Sequence, residues 1–378
     1  MDRLGATVAK LAAARAIPDF TLPGSKGDRL KDLTGFGSNP GTLRARTYIP
    51  ANLPANAPLV VVLHGCTQNA AGYDLSSGWS VLADMHGFAL LYPEQQRSNN
   101  ANLCFNWFSL ADARRGGGEA LSIREMVGTL VLAHDIDGTR IFATGLSAGG
   151  AMTSIMLATY PEIFAGGAII AGLPYGNANS VGDAFARMRG RGYDSDTQLS
   201  MLVNNASEHR GPWPRVSVWH GTADTTVDPS NAGRVVDQWR AVHDLGPTLP
   251  EQDRIDGFPR ETWRDAAGQA LIESYTITGM AHGTPLDISG PDACGTPGPF
   301  MLDVGISSTR HIARFFGLIA PRDASTHGES TTAKAPAKVR LRALSPVLPD
   351  PEMSPVPSPA SSVQAIIEDA LRSAGLMT

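Results

Sequence analysis

Between residues 41 and 320, short and continuously apolar runs alternate with segments of helical period. The runs cover 58–63, 88–92, 139–144, 165–171, 216–219 and 270–278. Unbroken aliphatic and β-branched runs of this length predict strands covered on both faces. Residues 121–133, 148–159 and 231–243 carry apolar side chains every three or four positions, which predicts helices. Strands alternating with helices predict an α/β fold, a mostly parallel central sheet flanked by crossover helices. Residues 175–214 are polar, rich in Gly and Arg, and break the alternation, so they predict an inserted cap or a long loop.

The flanks read differently. Residues 1–40 are Gly-rich and polar after a short Ala-rich stretch, as expected of an N-terminal arm laid on the surface. Residues 321–360 form a Pro-, Ala- and Ser-rich linker, with seven prolines from Pro336 to Pro359. Residues 361–378 predict a short amphipathic helix with Val363, Ile366, Ile367, Ala370 and Leu371 on one face. Ser361 and Gln364 form its capping box and Gly375 its stop. That helix has its own chain or a partner to dock on. No window reaches the length of a membrane span, and no secretory signal peptide is visible. Read literally, the chain stays in the cytoplasm.

Composition narrows the classes further. A chain of 378 residues with 42% hydrophobic and only 18% charged positions buries a large core, which excludes global disorder. The net charge of −5 gives no basic footprint for nucleic acid. Cys66, Cys104 and Cys294 are too few for a disulfide scaffold and lack zinc spacing, although one pair has the option of oxidising. No residue pattern calls for a metal or an organic cofactor.

The strongest chemical signal is Gly145-Leu146-Ser147-Ala148-Gly149-Gly150, set between an apolar strand and an apolar helix. In that context G-x-S-x-G is a nucleophile elbow, a sharp turn that lifts the serine hydroxyl above the sheet. Such a serine needs an acid and then a histidine downstream. Of His243, His282, His311 and His327, only His282 follows a strand in a loop of the required kind. The loop at 222–228 offers Asp224 and Asp228. Asp224 lies nearer the strand end and is preferred, while Asp228, before Pro229, reads as a turn or helix-entry residue. The amide of Ala148 and the main chain of Cys66, in His64-Gly65-Cys66-Thr67-Gln68, are the candidate oxyanion donors. His64 reads as a loop-shaping residue, and the Cys66 thiol as a weaker nucleophile candidate than Ser147.

These motifs resemble the poly(3-hydroxybutyrate) depolymerase family of esterases, which is carbohydrate esterase family 1-like. The matching pieces are Leu63-His64-Gly65-Cys66-Thr67-Gln68, Tyr92-Pro93-Glu94-Gln95, Cys104-Phe105-Asn106-Trp107-Phe108, Gly118-Glu119, Thr144 to Met152 and Ala171 to Gly176. They run in order between Gly41 and Leu318. The resemblance implies an α/β-hydrolase fold and ester hydrolysis through an acyl-enzyme, with 3-hydroxyalkanoate oligomers or polymer as substrate. It carries the catalytic roles onto Ser147, Asp224 and His282. Family members are mostly secreted, and polymer depolymerases commonly add a substrate-binding domain after a linker. Here the residues after 320 read as linker plus one helix, which shifts the expectation toward soluble oligoesters or small esters.

Trp107, Phe108, Trp79 and Tyr175 lie in motif segments. Trp107 and Tyr175 are the candidate substrate-binding aromatics, and Trp79 reads as core. Residues 115–119 lack the pattern of a phosphate loop and read as a helix start, with Glu119 near its N-terminus. Residues 135–138 hold a fragment of a calcium loop and read as a turn before the strand. The alternatives to a hydroxyalkanoate esterase are a feruloyl or acetyl-xylan esterase, a serine peptidase and a catalytically dead binding scaffold.

Overall fold

The computed structural model describes residues 28–320 apart from 177, 194 and 290–292. Residues 1–27 of the expected arm, His327, the linker at 321–360 and the helix at 361–378 lie outside the described residues.

The six apolar runs become β3 (Ala57–Leu63), β4 (Ala89–Glu94), β5 (Ile136–Leu146), β6 (Gly166–Ile170), β7 (Arg215–Gly221) and β10 (Ala270–Ile277). They stand side by side in the order β4-β3-β5-β6-β7-β10, every neighbouring pair parallel. Antiparallel strands extend both margins. β1 (Lys31–Leu33) and β2 (Arg44–Tyr48) continue from β4, and β9 (Phe258–Arg264) and β8 (Glu251–Ile255) continue from β10. β11 (Thr284–Leu286) and β12 (Met301–Asp303) form a separate parallel pair.

Alternation along the buried strands feeds two cores. Leu59, Val61 and Leu63 face one cluster, and Val60 and Val62 face the other. The first cluster is covered by α3 (Gly118–His134), α4 (Ala148–Thr159) and α7 (Ser230–Val242). The second is covered by α1 (Ala70–Ser77), α2 (Trp79–His86) and α8 (Ser308–Phe315). Every residue of α4 is buried, so the helix behind the elbow has no wet face.

Two boundaries shift. Residues 28–40, expected to be an arm, enter the fold. Lys31–Leu33 pairs with Ala45–Thr47 at the sheet margin, and Leu30 and Phe36 are buried. The strand is short and mostly exposed, so its sequence has no apolar alternation to betray it. The insertion at 175–214 carries two helices. It holds α5 (Val181–Met188), capped by Ser180, and α6 (Asp196–Asn204), which opens with a Ser195–Gln198 capping box. Leu199 and Val203 of α6 are buried, and Gln238 of α7 donates to the Leu199 carbonyl at 2.9 Å, which fixes the insertion to the body.

Candidate active site

Parallel strands deliver the loops after β3, β5, β6, β7 and β10 to one edge. The register aligns their ends, Leu63 with Gly145, Leu146 with Ile170, Ile170 with Trp219, and Trp219 with Tyr275. Ser147 follows β5, Asp224 follows β7 and His282 follows β10, so all three candidates leave the sheet at its C-terminal edge.

Ser147 turns the chain from β5 into α4 with φ 57° and ψ −117°. A non-glycine residue there is strained, at a cost on the order of 1–3 kcal/mol. The flanking glycines permit the turn. A Cβ on Gly145 would lie 2.4 Å from the Gly149 carbonyl oxygen, and one on Gly149 would lie 2.3 Å from that of Leu63. The Ser147 N–H donates to the Ile170 carbonyl at 2.9 Å and ties the elbow to β6. Ala148 opens α4, where first-turn N–H groups have no intrahelical acceptor and carry the positive end of the helix dipole.

The Asp224 carboxylate is fully buried and held by four donors. Oδ1 accepts from the N–H groups of Thr226 (2.8 Å) and Val227 (2.9 Å). Oδ2 lies 2.7 Å from His282 Nδ1 and 3.2 Å from His220 Nε2. Burial alone would raise its pKa. The hydrogen bonds from His220 and His282 outweigh burial and hold the carboxyl well below the usual carboxylate range. An ionised carboxylate only accepts, so His282 Nδ1 carries the hydrogen and Nε2 is left with its lone pair. The ring of His282 also meets Phe300 edge-on at 6.1 Å.

His220 is a residue that sequence reasoning passed over. It is buried, and its Nε2 is 2.9 Å from the Val227 carbonyl, which only accepts, so this nitrogen also carries hydrogen. Its one sequence signal is the spacing of four before Asp224. Asp228 is engaged elsewhere, accepting from the Ser230 N–H at 2.9 Å at the entry to α7. Of the other histidines, His243 Nε2 is 3.1 Å from the Pro214 carbonyl and burial pushes its pKa down to about 4. His311 bonds Asp256 at 2.8 Å. Neither reaches the elbow loops through these bonds.

The loop after β3 has its neighbours' amides satisfied internally. Gly65 N–H donates to Gln68 Oε1 (2.8 Å), Thr67 N–H to the Asn102 carbonyl (2.7 Å) and Gln68 N–H to the Gly65 carbonyl (3.3 Å). The Cys66 N–H has no hydrogen-bond partner among the described residues. Cys66 is bonded to Cys104 in a disulfide, which the sequence did not assign, and Cys294 is free and buried. The thiol of Cys66 is therefore consumed, and only its main chain remains for chemistry.

A small apolar cluster is built in part from residues near these groups in the chain. Ala151 lies one turn after Ser147, and Val227 three residues after Asp224. Together with Leu173 they form a small buried cluster against which Trp107 and Met188 pack. Trp107 thus packs beside residues close in the chain to Ser147 and Asp224. Tyr175 does not join that cluster. It packs against the main cluster, as Trp107 also does, and its backbone is clamped by Gln238, which donates to its carbonyl at 3.0 Å and accepts from its N–H at 2.9 Å. Among the described residues, no group of side chains has the makings of a metal site and no helix is long and apolar enough to cross a membrane.

Comparison with known proteins places this architecture. The family model of the esterase PHB depolymerases matches residues 45–246. The chain is 47% identical over 293 residues to poly(3-hydroxyalkanoate) depolymerase C of Paucimonas lemoignei, covering 77% of this chain and 70% of that protein. It is 30% identical over 279 residues to feruloyl esterase B of Talaromyces stipitatus, covering 71% and 76%. The solved acetyl xylan esterase of Aspergillus awamori superposes with a TM-score of 0.64 at 27% identity, over 77% of this chain and 99% of that one. Strand order, elbow and sequence kinship agree, and the chain belongs to the esterase family of PHB depolymerases, carboxylic ester hydrolases on the α/β-hydrolase fold.

Proposed function

We propose that the chain hydrolyses esters of short 3-hydroxyalkanoic acids through an acyl-enzyme on Ser147. The observation that carries the reading is the 2.7 Å bond between His282 and the ionised Asp224, on the sheet edge that also bears the strained Ser147. Ser147 Oγ adds to the ester carbonyl while its proton passes to His282 Nε2. The carbonyl oxygen becomes an oxyanion and takes hydrogen bonds from the N–H groups of Cys66 and Ala148. His282 returns the proton to the leaving alkoxide, and the alcohol departs. A water then repeats the sequence on the acyl-enzyme, losing a proton to His282 and releasing the acid and Ser147. Asp224 keeps the hydrogen on Nδ1 throughout and stabilises the imidazolium.

The acyl side supports a small group. Ala151, Leu173, Val227, Trp107 and Met188 offer an apolar wall suited to a methyl-bearing chain. A feruloyl or acetyl-xylan substrate would call for open aromatic platforms on the insertion. There Tyr175 and Trp213 pack against the core, and the guanidinium groups of Arg187 and Arg234 both meet the Tyr193 ring. The test is a panel of 3-hydroxybutyrate oligomers, p-nitrophenyl butyrate, feruloyl esters, acetylated xylan and peptides. Oligomer and butyrate turnover at least tenfold above the others in kcat/KM supports the reading. Preference for feruloyl esters or acetylated xylan overturns the acyl assignment.

A further inference from the structure

We propose that Glu119 is a positioning residue for ester hydrolysis: through Gln95, His64 and Asn106 it holds the loop whose Cys66 N–H meets the oxyanion. The inference rests on the serine-hydrolase reading above and adds a residue outside its machinery.

Glu119 is the second residue of α3 and is fully buried. Its two oxygens collect four N–H donors. Oε1 takes Gln95 Nε2 (2.6 Å), Asn106 Nδ2 (2.8 Å) and Asn99 Nδ2 (3.2 Å), and Oε2 takes the Asn106 N–H (2.8 Å). A buried carboxyl is costly in an apolar interior and persists where its partners are this complete. The donors all belong to the segments that frame the oxyanion loop.

Gln95 is the relay. Its side chain also donates to the Cys104 carbonyl at 3.0 Å, and its N–H donates to His64 Nε2 at 3.1 Å. His64 is buried, with Nδ1 2.8 Å from the Gly65 carbonyl. One neutral tautomer satisfies both contacts, hydrogen on Nδ1 and lone pair on Nε2. The Cys66–Cys104 disulfide then closes a ring from His64 through Cys66 and Cys104 to Gln95 and back. Asn106 extends the hold to the segment that carries Trp107. Cys66 therefore sits in a frame fixed through His64 on one side and through the Cys104 disulfide on the other, with its own N–H outside the frame's hydrogen bonds.

A misplaced donor matters most in the transition state, where the negative charge appears, and little in the ground state. The experiment is steady-state kinetics on p-nitrophenyl butyrate for wild type, Glu119→Gln and Asn99→Ala, with folding checked by circular dichroism. Glutamine keeps the three contacts of one oxygen but presents an NH₂ to the Asn106 N–H. Its kcat is expected to fall about 10- to 100-fold, part of the roughly 10²–10³ that one oxyanion donor supplies. KM is expected to stay within about threefold, since ground-state binding is untouched. Asn99→Ala removes one bond to Glu119, one to Gln95 and one to the Gly41 carbonyl, and is expected to lower kcat about three- to tenfold with the same unchanged KM. Unchanged kcat in folded variants overturns the proposal, and so does a rise in KM alone, which would assign Glu119 to the binding wall. If Glu119→Gln fails to fold, Asn99→Ala decides by the same criteria. End-point labelling with a fluorophosphonate separates the two levels. Label on Ser147 in wild type and variants alike, with equal kcat, sinks this inference alone. No label on wild-type Ser147 overturns both.

Discussion

Replacing Asp224 by asparagine changes one atom and leaves volume and burial as they are, so its effect isolates the carboxylate's chemistry. An asparagine in the same rotamer keeps Oδ1 toward the N–H groups of Thr226 and Val227, which hold the native side chain at 2.8 and 2.9 Å. Its NH₂ then replaces Oδ2, which faces His282 Nδ1 at 2.7 Å and His220 Nε2 at 3.2 Å. Two donors cannot share that bond. His282 relieves the conflict by moving its hydrogen from Nδ1 to Nε2, the nitrogen that must accept the Ser147 proton. The enzyme is left with the wrong tautomer and no charge opposite the imidazolium. The expected loss in kcat is roughly 10⁴-fold, or about 5 kcal/mol of transition-state stabilisation. The assay is kcat and KM on p-nitrophenyl butyrate at neutral pH, with circular dichroism to establish that the fold persists. A folded variant within tenfold of wild-type kcat would refute the tautomer argument, and with it the role of Asp224.

Three further outcomes follow from the packing. Gly149→Ala brings a Cβ to 2.3 Å from the Leu63 carbonyl oxygen and 2.5 Å from that of His64. Backbone has little room to yield, so stability should drop by more than the 1–3 kcal/mol typical of overpacking; a melting temperature within about 2 °C of wild type would contradict this. Trp107→Ala strips one side of the proposed acyl wall from the cluster with Val227 and Leu173, and should raise KM for butyrate esters more than it lowers kcat. An equal loss for acetate and butyrate esters would remove Trp107 from acyl recognition. Glu273 is buried against Ser217 Oγ at 2.7 Å, and burial pushes its pKa from 4.5 up to about 7 against the pull of Ser217 and Arg260. A raised folded-state pKa means stability is fully present below pH 4.5 and is lost as pH rises to 7, by about 3 kcal/mol. Glu273→Gln should flatten that part of the urea-midpoint profile, and parallel profiles would dismiss the linkage.

The sheet was legible because its six central strands are buried on both faces and carry mostly apolar side chains. The marginal strands were not. Glu251–Ile255 has a burial pattern open to solvent almost throughout, and its charges protect an edge rather than mark a strand. The elbow was legible because the close approach of Gly149 to Leu63 permits no Cβ, and so writes itself into the sequence. Ser147, Asp224 and His282 could be proposed from strand–loop order, since parallel strands bring successive loops to one edge. Residues that act through others left no such mark. His220 is a strand residue whose contact with Asp224 exists only because the loop folds back on it. The Cys66–Cys104 pairing joins loops after different strands, and spacing alone does not choose it from the three possible pairs. Tyr175 packs against the main cluster, as Trp107 also does, and Gln238 holds its backbone, a contact that the motif alone did not reveal.

The central claim is that Ser147 is the nucleophile, and covalent labelling tests it most directly. The protein is incubated with a fluorophosphonate, its intact mass is measured, and the modified peptide is sequenced by mass spectrometry. The account predicts one adduct per chain, on the peptide containing Gly145-Leu146-Ser147-Ala148-Gly149, with esterase activity lost in proportion and no adduct on Ser147→Ala. An active enzyme that resists the probe, or one labelled at another residue while Ser147→Ala keeps its activity, would contradict the account.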